Sequence, residues 1–165
     1  MKNIVLIGMP GCGKSTCGVV LAKAIGYDFE DTDLIISKLD GRKLQDIIDT
    51  DGVDKFIELE EQVGTNIECS KTVIATGGSM VLSSKAMQHL KSIATIIYLK
   101  VPYEVLLKRI HNFKSRGIVF RNGESFEDIY KSRTPLYEKY ADITVEFNDA
   151  DVESVIENIV NLLSF

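Results

Sequence analysis

One stretch near the start restricts the fold of this chain more than any other feature. Gly8-Met9-Pro10-Gly11-Cys12-Gly13-Lys14-Ser15-Thr16 contains G-x-x-x-x-G-K-S, a pattern whose glycines let the backbone wrap around phosphate oxygens. It directly follows the β-branched run Ile4-Val5-Leu6-Ile7 and precedes a stretch with helical spacing that includes Val20-Leu21-Ala24-Ile25. Strand, glycine loop and helix in that order bring successive N–H groups and a positive helix end to one point. The pattern assigns nucleotide phosphates to Gly11, Cys12, Gly13, Lys14, Ser15 and Thr16. Lys14 is expected to reach the β- and γ-phosphates, and the Ser15 hydroxyl to serve as a Mg²⁺ ligand. Cys12 fills a free position of the pattern and reads first as a tolerated small residue, with a redox thiol near a helix N-terminus as the alternative.

The rest of the chain repeats the alternation. Short apolar runs at 72–75, 95–99 and 143–147 are separated by longer stretches with helical spacing, such as Val152-Val155-Ile156-Ile159-Leu162-Leu163. That order predicts βαβ units, with a parallel sheet covered on both faces. Tyr27–Asp31 is a weaker strand candidate. Two segments fall outside the alternation. Residues 33–70 are helical in pattern, with Phe56-Leu59-Val63-Ile67 as an apolar stripe, and 112–126 are polar and contain Lys114, Arg116 and Arg121. A polar stretch of that length in a compact domain is expected to be a functional loop or lid.

Composition removes several function classes. The 165 residues hold 19 Lys plus Arg against 24 Asp plus Glu, a net charge of −5, without the electrostatic footprint of a general nucleic-acid binder. No run approaches the ~18 apolar residues of a membrane span. The opening apolar run breaks at Gly8, too early for a signal peptide. The 3 cysteines, Cys12, Cys17 and Cys69, show neither CxxC pairing nor zinc-ligand spacing with His89 and His111. A single soluble domain over 1–165 in a reducing cytoplasm is the expectation, and nothing in the pattern demands more than a monomer. Base-reading N-K-x-D motifs and an apolar run ending in Asp-Glu are both absent. What remains fits a kinase of a small molecule or a nucleotide, which closes over its acceptor to exclude water.

On the acceptor side, Asp31-Thr32-Asp33 follows the second strand. Carboxylates at i and i+2 leaving a strand point the same way. Asp31 is placed to hold Mg²⁺ through water, and Asp33 to take the proton of an attacking hydroxyl. Asp33 also suits an N-cap ahead of Leu34-Ile35-Ile36, and one residue can do both. Ala75-Thr76-Gly77-Gly78-Ser79 leaves the third strand with adjacent glycines that let N–H groups approach a ligand, or make a plain turn.

Taken together, Gly8–Thr16, Asp31-Thr32-Asp33, Gly77-Gly78, Arg116 and Arg133-Thr134-Pro135-Leu136-Tyr137 resemble the shikimate kinase family over nearly the whole length. The resemblance implies a three-layer α/β/α P-loop NTPase fold with a five-stranded parallel sheet, a helical acceptor-binding insert at 33–62 and a lid at 112–124. It implies transfer of the γ-phosphoryl of ATP, with Mg²⁺, to the 3-hydroxyl of shikimate. By the same resemblance Asp33 contacts the acceptor hydroxyls and Asp31 supports Mg²⁺. Gly77 and Gly78 line the acceptor pocket, Arg133 helps bind its carboxylate, Arg116 closes on the phosphates, and Arg109 stacks on adenine.

The chain departs from the family pattern on the acceptor and lid side. Phe-Arg-x-x-Glu becomes Phe56-Ile57-Glu58-Leu59-Glu60, so the arginine that grips the shikimate carboxylate is Ile57. An isoleucine forms no bidentate ion pair. Arg133 then carries the carboxylate alone, Lys55 or Lys38 substitutes, or the acceptor is another small hydroxy compound. The family's third glycine is Ser79, and its lid Arg-Pro is Arg116-Gly117. A nucleotide-binding module without transfer activity is the reading from a different class.

Overall fold

Five short strands, the central three of them largely buried, set the centre of the molecule. The computed structural model describes residues 2–110, 118–121, 123–148 and 151–164. In chain order the strands are β1 (Asn3–Ile7), β2 (Asp28–Asp31), β3 (Thr72–Ala75), β4 (Ala94–Lys100) and β5 (Ile143–Glu146). They form one parallel sheet in the order β2-β3-β1-β4-β5. Every residue of β1 and β3 is buried, as expected for strands covered on both faces. The middle position of β1 and the jump to β3 on one side and β4 on the other open a crevice at the carboxyl edge beside the glycine loop.

The helices are α1 (Lys14–Ile25), α2 (Thr32–Asp40), α3 (Leu44–Asp51), α4 (Val53–Asn66), α5 (Ser84–Ile93), α6 (Tyr103–Arg109), α7 (Phe126–Tyr140) and α8 (Val152–Leu163). Helices α1 and α8 pack together, while α4, α5 and α7 meet around a single turn at Met80–Leu82. These make the two outer layers of the three-layer fold.

Short polar side chains start the helices. Asp31 caps α2, Ser83 caps α5, Ser125 opens α7 with a reciprocal Asp128 contact, and Asp151 caps α8. The expected helical segment 33–62 is three helices, broken where Gly41 and Gly52 take positive φ. Their shared faces make a second small core of Ile36, Ile47, Phe56 and Val63, joined by Val119 from within the polar stretch. Among the described residues no helix is long and apolar enough to cross a membrane.

Candidate active site

The loop after β1 reaches the crevice with its glycines in left-handed conformations, φ 81° at Gly11 and 97° at Gly13. Gly8 is required on packing grounds as well. A Cβ there would meet Cys12 Sγ at 2.8 Å and the Leu99 carbonyl at 2.9 Å. Lys14 is buried and folds back across the loop, donating to the carbonyls of Gly8 at 2.7 Å and Met9 at 2.9 Å. Cys12 lies beneath the loop, fully buried, with its N–H donated to Met9 O at 3.1 Å and the Lys14 ammonium 3.6 Å from its sulfur.

Where β2 ends, Asp31 does two things. Its Oδ1 accepts from the N–H of Asp33 at 2.9 Å and of Leu34 at 3.4 Å, and its Oδ2 accepts from the Ser15 hydroxyl at 2.7 Å. The N-cap of α2 is therefore Asp31 rather than Asp33. A hydroxyl and a carboxylate meeting beside the phosphate loop are the hard oxygen donors that Mg²⁺ prefers, so Ser15 and Asp31 fit that ion.

Gly11, Gly13, Lys14, Ser15 and Asp33 edge a cavity of about 710 Å³, within the usual range for a ligand site. Its nucleotide half is lined by Gly11, Gly13, Lys14, Ser15, Thr16 and Cys17, with Arg109, Phe147, Asp151 and Val152 at the far end. The Arg109 guanidinium sits 5.0 Å from the centre of the Phe147 ring and donates to the carbonyls of Cys12 at 3.4 Å and Asn148 at 3.3 Å. Burial pushes the Cys17 thiol up to about 11, keeping it protonated.

The half expected to take the acceptor is lined by Asp33, Phe56, Glu60, Gly77, Gly78, Ser79 and Arg133. The two glycines stay close to the floor. Gly77 N–H donates to the Thr32 hydroxyl at 3.1 Å, and Gly78 O accepts from the Tyr137 hydroxyl at 2.6 Å. Arg133, only 4% exposed, donates to Val119 O at 3.2 Å and is the arginine on this side. Burial first, then the negative charge of Asp31, raises the Asp33 carboxyl to about 6, against the pull of Lys14. Glu60 rises further, to about 8, again through burial first. The Ser79 hydrogen bond opposes that rise, as do Arg133 and Lys14, while Asp33 adds to it.

The structure thus gathers Lys14, Ser15, Thr16, Asp33, Gly77, Gly78, Arg109 and Arg133 around one cavity. Arg116 lies outside the described residues. Ile57 is half-buried against the small core of the insert and does not line the cavity. Neither Lys55 nor Lys38 substitutes for an arginine there: both are exposed, and Lys55 pairs with Glu58 at 3.4 Å. Sequence reasoning gave no role to Thr32, Phe147 or Glu60. The signal for Glu60 was available. The buried face of α4 runs Phe56, Glu60, Val63, Gly64 rather than along Leu59 and Ile67, so an acid interrupts an otherwise apolar stripe.

Known proteins match this geometry. The sequence profile described as shikimate kinase matches residues 10–164. A shikimate kinase of Clostridium botulinum (strain 657 / Type Ba4) is 41% identical over 143 residues, covering 84% of each chain. That of Thermodesulfovibrio yellowstonii is 36% identical, over 97% of this chain and 94% of its own. The structure of a shikimate kinase from Acinetobacter baumannii in complex with shikimate superimposes with a TM-score of 0.92 at 29% identity, over 99% of this chain and 93% of that one. The enzyme from Aquifex aeolicus gives a TM-score of 0.86 at 31% identity, over 98% of this chain and 96% of that one. With its profile, its relatives and its fold in agreement, the chain belongs to the shikimate kinase family.

Proposed function

We propose that this chain transfers the γ-phosphoryl of ATP to the 3-hydroxyl of shikimate, with residues 33–62 as the acceptor-binding insert and 112–124 as the lid. One observation carries the reading. A single cavity joins a phosphate loop ending in Lys14 to a pocket where Asp33 and Arg133 lie on the same wall-to-wall space. Anion-holding and hydroxyl-orienting groups are thereby brought within reach of one another.

In this reading the loop N–H groups and Lys14 hold the phosphates and offset the charge that builds on the transferring group. Lys14 exchanges the carbonyls of Gly8 and Met9 for phosphate oxygens. Mg²⁺ held by Ser15 and, through water, Asp31 supplies further charge neutralisation when bound. Asp33 orients the acceptor hydroxyl and takes its proton. With its carboxyl raised to about 6 it is still ionised at neutral pH and a better base than a free aspartate. Arg133 pairs with the acceptor carboxylate, Arg109 and Phe147 hold the base, and Arg116 contributes the lid cation.

The test is a coupled ADP-release assay with MgATP and shikimate from micromolar to millimolar concentration. Saturable turnover is expected, with Arg133→Ala raising the shikimate KM by about 10- to 150-fold. Shikimate-independent ADP release, or a rate that never saturates with shikimate, overturns the assignment.

A further inference from the structure

Two carboxyl oxygens in the acceptor half are buried and have no hydrogen-bond partner among the described residues: Asp33 Oδ1 and Glu60 Oε2. Leaving such atoms unpaired destabilises a fold, so their presence in a cavity points to a ligand that pairs with them. They converge on one spot. A Cβ built on Gly77 would lie 2.7 Å from Asp33 Oδ1 and would collide with Glu60 Oε2. A glycine at 77 keeps that spot open between the two acids.

Both acids are carried on helices of the insert. Asp33 lies in the first turn of α2, its own N–H donated to Asp31 Oδ1. Glu60 is 2% exposed, its Oε1 accepts from the Ser79 hydroxyl at 2.5 Å, and Phe56 and Val63 bury the turns on either side. Ile57 offers it no counter-ion, since that side chain packs into the insert core. The Ser79 hydroxyl therefore anchors one Glu60 oxygen and leaves the other directed at Gly77.

We propose that Glu60 binds the acceptor directly, forming with Asp33 a two-carboxyl clamp on adjacent hydroxyls of a vicinal diol, with Ser79 as its positioning residue. Two polar oxygens flanking one open spot match two neighbouring hydroxyls better than an isolated one. The clamp makes Glu60 a specificity-determining residue for polyhydroxy acceptors, and it rests on the reading that this half of the cavity takes the acceptor.

The test pairs enzyme variants with substrate variants. Wild type, Glu60→Ala, Glu60→Gln and Ser79→Ala are compared on shikimate and on an analogue lacking the hydroxyl adjacent to the reacting one. Glu60→Ala is expected to raise the shikimate KM by about 10- to 100-fold, with the ATP KM unchanged. On wild type the deoxy analogue loses a similar factor, and on Glu60→Ala it loses nothing further. Glu60→Gln, which keeps the hydrogen-bonding shape, stays near wild type, and Ser79→Ala falls between. If Glu60→Ala penalises shikimate and the deoxy analogue equally, Glu60 is structural and the clamp is wrong. Should Glu60→Ala fail to fold, Ser79→Ala against the two acceptors decides by the same comparison. A wild type that does not phosphorylate shikimate overturns the functional reading instead. The clamp is then judged by calorimetry with vicinal diols and their monohydroxy counterparts, and equal or absent binding overturns it.

Discussion

The two halves of the cavity are built by opposite means. The nucleotide half is mostly backbone from one continuous stretch, and its charged groups are paired before any ligand arrives. Lys14 lies on loop carbonyls and Ser15 on Asp31. The acceptor half is made of side chains from α2, α4, the β3 exit and α7, and it leaves Asp33 Oδ1 and Glu60 Oε2 buried without partners. A phosphate is recognised by geometry that any P-loop protein shares. A particular alcohol has to be recognised by side chains, and unpaired polar atoms are the mark of that recognition.

The largest effects should separate the halves. Lys14→Ala is expected to lower kcat by at least about 10²- to 10³-fold, because nothing else in the loop carries a mobile positive charge. Asp33→Asn is expected to lower kcat by about 10²- to 10⁴-fold while the ATP Kd, read by calorimetry, stays near wild type. Since Asp31 and not Asp33 caps α2, and burial disfavours the ionised Asp33 carboxyl, the asparagine variant should melt no lower than wild type at neutral pH. Equal loss of ATP binding and rate in Asp33→Asn would erase the distinction between the halves.

This contrast also governs how much was legible in the sequence. The phosphate loop is contiguous, so its strand, glycines and helix could be read together, and β1, β3, β4 and β5 follow from their apolar runs. Strand β2 was the faint one. It lies at the sheet edge and reads Asp28-Phe29-Glu30-Asp31, with charges facing out, so it lacks the apolar run of a central strand. The insert was legible as helical in pattern, but not its division into three helices, which is set by the positive φ of Gly41 and Gly52 where the chain turns. Asp33, Gly77 and Gly78 stood out by their places directly after β2 and β3, whereas a role for Arg133 came only through the resemblance to a family. The Glu60–Ser79 bond joins positions 19 apart through tertiary packing, and no local pattern encodes it. The same packing shows Ile57 serving the insert core, which spacing alone could not reveal.

A pH dependence of stability sharpens the comparison from the acceptor side. Glu60 and Asp33 are both raised in the fold, to about 8 and about 6. Between the ordinary carboxyl range and those values the folded chain binds more protons than the unfolded one. Stability from these groups is therefore greatest at low pH and falls as pH rises toward 8. Glu60 is faced by Ser79, Asp33, Arg133 and Lys14, and replacing it with glutamine removes its titration without removing its shape. Glu60→Gln is expected to melt above wild type at pH 8, with the gap closing toward pH 5, in thermal scans at matched ionic strength. A gap that is constant with pH would show that Glu60 is ionised throughout.

The smallest expected effect tests the seam between the halves. Thr32 is fully buried, and its hydroxyl accepts the Gly77 N–H at 3.1 Å, tying the floor of the acceptor pocket to the start of α2 beside Asp31. Thr32→Val keeps the volume but leaves that N–H buried and unpaired, which destabilises by about 1–3 kcal/mol. Thr32→Ser keeps the hydroxyl and loses only a methyl group, so it should recover most of the Tm. If Gly77 positions the acceptor, Thr32→Val raises the shikimate KM several-fold relative to Thr32→Ser and leaves the ATP KM alone. A rise in both KM values would mean that the seam transmits strain to the phosphate loop. In that case the halves are mechanically one site despite their different construction.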